Sequence, residues 1–418
     1  MDNETDTKIY KILSLDGGGS WALIQAIALA DIYGLDTKGR DILKHFDLAI
    51  ANSGGSIVLA GLIMDMSPRK IFDRFNDESM RNDIFVDKWI NVLDFRKYST
   101  KAKLAGLTKA FEGYPIDCKI SDIAGEFKIS TEIVICAFNY DRERATFFRS
   151  NAKSLTASLG GSGLKNLTLL QAIHASSTAP VKYFDDPALI HDNKPEADKV
   201  RFWDGAVGGY NNPVMAGLVE VLAKNPKPKN IRALSIGTGN VFLPLGTEGN
   251  NSFGLYKMPE KPCLINDINL LAGAIISDPP DAASFTAHVV LGGSLPLTAD
   301  PVTDGPVVRM NPLVQPIKAA AGAPFPWDLP GFSVNEFIRL SELGLDAVDQ
   351  YDVNLIKKLT HHWLAGVANN QPVRMNGKTL ACEIGHNKYS KAVAQWRSYD
   401  TSAPPHSDNN RQKITDIL

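Results

Sequence analysis

A serine, an aspartate and a run of glycines are the residues whose types and spacing could do chemistry in this chain. Residues 46–57 read FDLAIANSGGSI, so Ser53 stands between an apolar run and an apolar stretch of helical spacing. A serine on a tight strand-to-helix turn throws its hydroxyl outward beside a helix N-terminus, the context of a nucleophile elbow. Small residues two places before and after it relieve crowding. Gly55 fills the second slot, and Ala51 fills the first, where the G-x-S-x-G pattern has glycine. Ser56 is a rival, but Val58 stands two places after it, and a first-turn helix serine accounts for it. A capping serine would equally account for Ser53.

A serine nucleophile needs a neighbour to take its proton, most often a histidine. The eight histidines are His45, His174, His191, His288, His361, His362, His386 and His406. None stands in a recognisable catalytic context, and none has metal-ligand spacing. The segment VRFWDGAVGGYNNP offers a carboxylate instead. Asp204 follows a strand-like run and opens a Gly-rich turn with Gly205, where α/β folds place functional side chains. An Asp-Gly pair is also the ordinary mark of a turn.

Residues 12–19 read ILSLDGGG, an apolar run ending in Asp16 and the three glycines Gly17, Gly18 and Gly19. A strand, a bare backbone and a helix start gather free N–H groups in one place, and the helix dipole favours negative charge there. A nucleotide P-loop would need Lys then Ser or Thr after the glycines, and here Ser20 and Trp21 follow. A dinucleotide fingerprint would have to end at Ala22. An oxyanion hole requires only donors and a nucleophile elsewhere. A glycine-rich turn with no ligand also fits.

These residues need strands to carry them. Residues 9–15, 46–52, 131–138, 200–206 and 231–236 are strand candidates, and ATFFRS is a hairpin partner for the third. WALIQAIALADIYGL, SIVLAGLIMDM and LTLLQAIHASSTAP have helical spacing. Strands alternating with helices predict an α/β fold around a parallel sheet. Residues 244–262 read as loop. Residues 316–332 are rich in Pro and small residues, with Phe325, Trp327 and Phe332 exposed as a rim or lid, or else packed. The segment from Ser333 predicts one or two amphipathic helices, with Ser333 and Glu336 forming a capping box. The last dozen residues read as frayed.

Composition sets outer bounds. The 418 residues are 44% hydrophobic and 22% charged with a net charge of −2, and no basic block argues for nucleic acid. Cys118, Cys136, Cys263 and Cys382 are scattered, which suits a reducing compartment and no metal or disulfide framework. The N-terminus lacks a secretory pattern and no window is apolar enough to span a membrane. A cytoplasmic protein is expected, with export independent of a signal left open.

Taken in order, the blocks resemble patatin-like phospholipases, lipid acyl hydrolases that use a Ser–Asp dyad. DGGG at 16–19 resembles the oxyanion-hole loop, ANSGG at 51–55 the nucleophile elbow, and HASSTAP at 174–180 the Ala/Ser-rich block. DGA at 204–206 with NNP at 211–213 resembles the block of the catalytic Asp, LSIGTG at 234–239 the strand and turn after it, and VVRMNPL at 307–313 a later strand. The chain departs from the family at Trp21 and Ala22, where a basic residue and a glycine are usual, and at Ala51. The resemblance implies a mostly parallel central sheet flanked by helices on both faces, a three-layer sandwich related to α/β-hydrolases. It implies a catalytic domain over 8–365, with its core motifs in 8–240 and looser helices and loops in 240–365, and a C-terminal extension over 366–418. It implies Ser53 and Asp204 as the dyad, Gly17, Gly18 and Gly19 as the oxyanion hole, and Asp16, Gly55 and Gly205 as supporting turn residues. No cofactor or metal is implied. The partners expected are a phospholipid or other acyl-lipid substrate and a peripheral membrane surface, with a protein activator or homo-oligomer left open and no nucleic acid. Two alternatives stand beside this reading: a degenerate lipid- or partner-binding scaffold, and a non-lipid esterase or thioesterase.

Overall fold

The computed structural model of the chain describes residues 8–88, 96–151, 166–190, 200–224, 227–243, 279–295, 301–320, 322–323, 325, 327–375 and 383–418. The expected loop at 244–262 and His191, Cys263 and Cys382 lie outside the described residues. The apolar runs become strands: β1 Tyr10–Leu15, β2 Leu48–Ala51, β3 Glu132–Asn139, β4 Arg144–Arg149, β5 Ala188–Ile190, β6 Val200–Asp204, β7 Ile231–Ile236 and β8 Val307–Met310. They form one sheet in the order β5-β6-β3-β2-β1-β7-β8, with β4 also paired to β3. The neighbours β3-β2-β1-β7-β8 are parallel, while β6, β5 and the hairpin strand β4 pair antiparallel. A parallel sheet is covered on both faces, so its strands are apolar throughout rather than alternating.

Alternate residues go to two buried clusters. Leu13, Leu15, Ala49, Ala51, Ile133 and Ile135 face one core, and Ile12, Leu48, Ile50 and Val134 face the other. Helices α1 Leu23–Tyr33, α2 Ser53–Ile63, α3 Thr100–Ala110 and α4 Leu169–Ser176 contribute to the first core. Helices α5 Val214–Leu222 and α6 Pro279–Val290 close the second. The result is a mostly parallel central sheet with helices on both faces, as expected. All eleven residues of α1 are buried, which explains why its sequence is apolar on every side apart from Gln25 and Asp31.

The later third differs in part from expectation. Two helices follow Ser333, namely α7 Val334–Glu342 and α8 Gln350–Leu364. The Ser333–Glu336 capping box is formed. Phe332 is buried rather than exposed, under the Lys358 ammonium and edge-on to His362. The last dozen residues read as frayed yet carry α10 Asp408–Ile417, which follows α9 Tyr389–Tyr399. The reason is tertiary. Trp396 Nε1 donates to the Tyr33 hydroxyl at 2.9 Å and its ring stacks on Phe46. Asn410 bonds both Leu35 N–H and Ala30 O across α1, and Ile414 is fully buried.

Register decides what meets at the sheet edge. Leu15 pairs with both Ala51 and Ile236, so β1, β2 and β7 end level. Ala51 pairs with Ile135, and two residues on, Ala137 pairs with Asp204. Ser53 is likewise two residues beyond Ala51. Strand β6 runs against β3 and so delivers Asp204 to the level of Ser53 from the opposite direction.

Candidate active site

Ser53 is the first residue of α2 and has φ +48°. A left-handed conformation at a residue with a side chain is costly and persists only where its surroundings impose it. Here they do. Ser53 N–H donates to Ser176 Oγ at 2.9 Å, Asn52 N–H to Leu15 O at 3.1 Å, and Ser56 Oγ to Ser53 O at 2.6 Å. The rival Ser56 is therefore fully buried and engaged in holding the turn. The glycines let the turn sit down on β1. A methyl on Gly54 would lie 2.6 Å from Gly19 O, and one on Gly55 would lie 2.6 Å from Asp16 O.

Asp204 ends β6 and is 3% exposed. Its N–H donates to Thr178 O at 2.8 Å. Its Oδ1 accepts from Asn52 Nδ2 and from Ala206 N–H, each at 2.9 Å. Burial pushes the carboxyl above the ordinary carboxylate value. The nearby Ser53 hydroxyl, the Ala206 N–H, Asn52 and the Lys103 ammonium all pull it back down. Gly205 is needed beside it because a methyl there would sit 2.4 Å from Asn52 Oδ1.

The glycine loop lies against the same turn. A methyl on Gly17 would meet Asn211 Oδ1 at 2.3 Å and Ser53 Cβ at 2.9 Å. The Gly17 N–H, expected to be an open donor, is instead donated to Asn211 O at 2.9 Å. The NNP block thus holds the loop down and takes that donor. Among the described residues, the N–H groups of Gly18, Gly19 and Gly54 have no hydrogen-bond acceptor. Gly19 has φ +55°, and a methyl on it would strike Leu345 O. Trp21, where the family has a basic residue, donates Nε1 to Gly344 O at 2.9 Å and Ser20 N–H bonds Leu345 O, so this segment straps the loop.

Asp16 turns away from Ser53 and pairs with Arg309 at 2.6 Å, both side chains buried. Arg309 also donates to Ser235 Oγ at 2.8 Å. Burial raises the Asp16 carboxyl to about 6 against the pull of Arg309.

Several residues of this site carry no signal that the sequence reading used. Asn52 is adjacent to Ser53, and its amide became meaningful only once Asp204 was placed opposite. Ser176 and Thr178 stand in the HASSTAP block, whose sequence assigns them no individual roles. Lys103 and Arg309 come from segments distant in the chain. Lys103 is fully buried, with Nζ donating to His174 O at 2.9 Å and Thr178 Oγ1 at 2.7 Å. His174 contributes that carbonyl, while burial and Lys103 hold its own ring well below the usual histidine range.

Two cavities flank the glycine loop. The larger, about 410 Å³, is lined by Asp16, Trp21, Arg309, Asn311 and Gln371 and touches neither Ser53 nor Asp204. The smaller, about 50 Å³, has Ser53, Gly54 and Lys103 in its wall together with Ile57, Phe75 and Phe85. Size does not decide between them; the nucleophile candidate opens on the smaller, apolar one. Phe332 belongs to the first core, and Phe325 and Trp327 are partly buried against it, so packing accounts for these three aromatics. Among the described residues no cluster of His, Cys, Asp and Glu could hold a metal ion. No helix among them is long and apolar enough to cross a membrane.

A family model described as patatin-like phospholipase matches residues 13–218, the segment that carries Ser53 and Asp204. No curated protein matches the chain at a significant level. Among solved structures, VipD from Legionella pneumophila is similar at 10% identity and a TM-score of 0.32, over 98% of this chain and 80% of that one.

Proposed function

Since residues 13–218 form a patatin-like phospholipase domain, the hallmark of lipid acyl hydrolases, we propose that this chain cleaves fatty-acyl esters of phospholipids or lysophospholipids through a Ser53–Asp204 dyad. The observation that carries the reading is the placement of the two side chains. Ser53 is held at positive φ on a strand–helix turn, and the buried Asp204 carboxylate lies at the same level of the sheet, bonded to Asn52, the residue before Ser53.

Ser53 Oγ attacks the ester carbonyl carbon, and Asp204 takes the hydroxyl proton. The oxyanion that forms is held by the N–H groups of Gly18, Gly19 and Gly54, the open donors around the turn. Collapse breaks the ester C–O bond, and Asp204 returns the proton to the departing alcohol. Water then attacks the acyl-enzyme with Asp204 as base; the C–Oγ bond breaks, the proton goes back to Ser53, and the fatty acid leaves. A carboxylate of ordinary pKa is a weak base, so the burial that raises Asp204 suits it to the task. The wall beside Ser53 is largely apolar, which suits the apolar part of an ester placed against it. The domain spanning 8–365 is proposed as the catalytic unit, working at a membrane surface without a metal.

The test is fatty-acid release from mixed phospholipid vesicles by the wild-type chain, Ser53→Ala and Asp204→Asn. Release by the wild type alone is expected. Release by all three would mean that other residues do the chemistry, and a head-group and chain-length series separates phospholipids from simple esters and thioesters.

A further inference from the structure

A buried lysine sits behind the proposed dyad, and the dyad does not use it. Lys103 projects from α3 and is 1% exposed. A buried ammonium is costly unless it is paired and hydrogen-bonded. Its two acceptors, His174 O and Thr178 Oγ1, belong to the end of α4, where helix carbonyls lack partners of their own. Thr178 Oγ1 in turn donates to His174 O at 2.6 Å. The Phe184 ring lies 4.8 Å from Nζ, a cation–π distance.

That turn is bonded to both halves of the dyad. Ser176 Oγ accepts the Ser53 N–H and Thr178 O accepts the Asp204 N–H. We propose that Lys103 is the positioning residue of the site: its ammonium locks the 174–178 turn that holds Ser53 and Asp204, and presents to Asp204 the positive charge that a histidine-free dyad otherwise lacks. This rests on the reading of Ser53 and Asp204 as the dyad.

The electrostatics run both ways. Burial lowers the Lys103 pKa well below the ordinary lysine value, and Asp204 is the acidic group that opposes this. Lys103 reciprocally favours the ionised Asp204. The other ionisable groups around the pair are His174 and Cys136, with Arg74 and Arg81 across the cavity. Asp185, whose Oδ1 accepts the Thr100 N–H at the start of α3, is already paired with Lys88. Removing the Lys103 charge therefore leaves Asp204 with less to offset its burial, and its proton binds more tightly. An opposite charge within about 4–6 Å shifts a carboxyl by roughly 1–3 units, and a more distant one by less.

The experiment follows the rate of Ser53 labelling by a fluorophosphonate, located by mass spectrometry, across pH 5–9. It uses the full chain as wild type, Lys103→Met and Thr178→Val, and needs no knowledge of the natural substrate. The expected result is labelling of wild type at Ser53, and an acid limb displaced upward by about 1 unit in Lys103→Met, with the rate below that limb lower by up to about tenfold. Thr178→Val removes one acceptor of the ammonium without touching Lys103 itself, and should move the limb in the same direction by less. A folded Lys103→Met with an unmoved limb overturns the proposal. Should Lys103→Met fail to fold, a Thr178→Val profile superimposable on wild type overturns it instead. Absence of Ser53 labelling in the wild type sinks the dyad reading itself, and this inference with it.

Discussion

Asn52 Nδ2 donates to Asp204 Oδ1 at 2.9 Å across the sheet edge. The residue immediately before the proposed nucleophile thus bonds the proposed base, and one turn sets both. The amide fills the space that Gly17 and Gly205 leave bare, since a methyl on either would strike it. A hydrogen bond to a charged group is worth about 1.5–3 kcal/mol, so Asn52→Ala should cost roughly tenfold or more in kcat/KM near neutrality. Its acid limb should also move up, because a donor to the ionised form is gone. A pH series of ester hydrolysis checks this; a loss of rate with an unmoved limb would assign Asn52 to packing alone.

Burial raises Asp204 above the ordinary carboxylate value, and the sign of the consequence differs for activity and stability. As a base it must be ionised, so the rate falls as pH drops through the raised value. The fold, however, prefers the proton. The stability this group contributes is fully present below its unfolded value of about 3.9 and is lost as pH rises through the folded one. Asp204→Asn should therefore raise the melting temperature at pH 8 while removing activity, and the gain should shrink toward pH 4. Thermal unfolding at the two pH values decides it. A variant less stable than wild type at pH 8 would mean that the ionised carboxylate is net stabilising there.

Gly54→Ala tests the glycine loop without touching a polar side chain. Its methyl would fall 2.6 Å from Gly19 O and 2.9 Å from Gly19 N, so the loop must shift away from Ser53. Displacing an oxyanion donor costs about 10²–10³ in rate. The expected outcome is a folded protein, by circular dichroism, with kcat reduced on that scale. Near wild-type turnover would remove these N–H groups from the mechanism.

What was legible in the sequence follows from what each feature depends on. Ser53 and Gly17–Gly19 each lie at the end of an apolar run, and strand ends in a parallel sheet converge on one edge, so local pattern is enough to bring them together; Asp204 also ends such a run but reaches that edge on an antiparallel strand, which local pattern does not show. The use of Gly17 N–H by Asn211 was not legible, because it depends on where the turn after β6 comes to rest. Lys103 sits on a helix that the reading did not assign, and a lysine at such a position ordinarily reads as surface. The tail helices α9 and α10 look polar in sequence because only narrow faces, through Trp396 and Ile414, meet α1. Their stability comes from that contact and not from local propensity.

Arg309 illustrates the same point from the far side of the loop, and its role can be tested by stability alone. It pairs with Asp16, whose other oxygen, Oδ1, has no partner, and both groups are buried. Burial lifts Asp16 to about 6 even with the guanidinium in place. Its contribution to stability is therefore full below about 3.9 and declines as pH rises toward 6. Breaking a buried pair by removing one partner costs about 3–5 kcal/mol because a charge is left behind. In Arg309→Met that charge can be avoided at low pH, where Asp16 takes a proton, but not at high pH. Urea unfolding should accordingly find a deficit of that order at pH 8 and a smaller one at pH 5. Adding Asp16→Asn to Arg309→Met should recover part of the deficit at pH 8 and little at pH 5. A deficit independent of pH, with no recovery in the double variant, would mean that Arg309 acts through its packing and its bond to Ser235 rather than through Asp16.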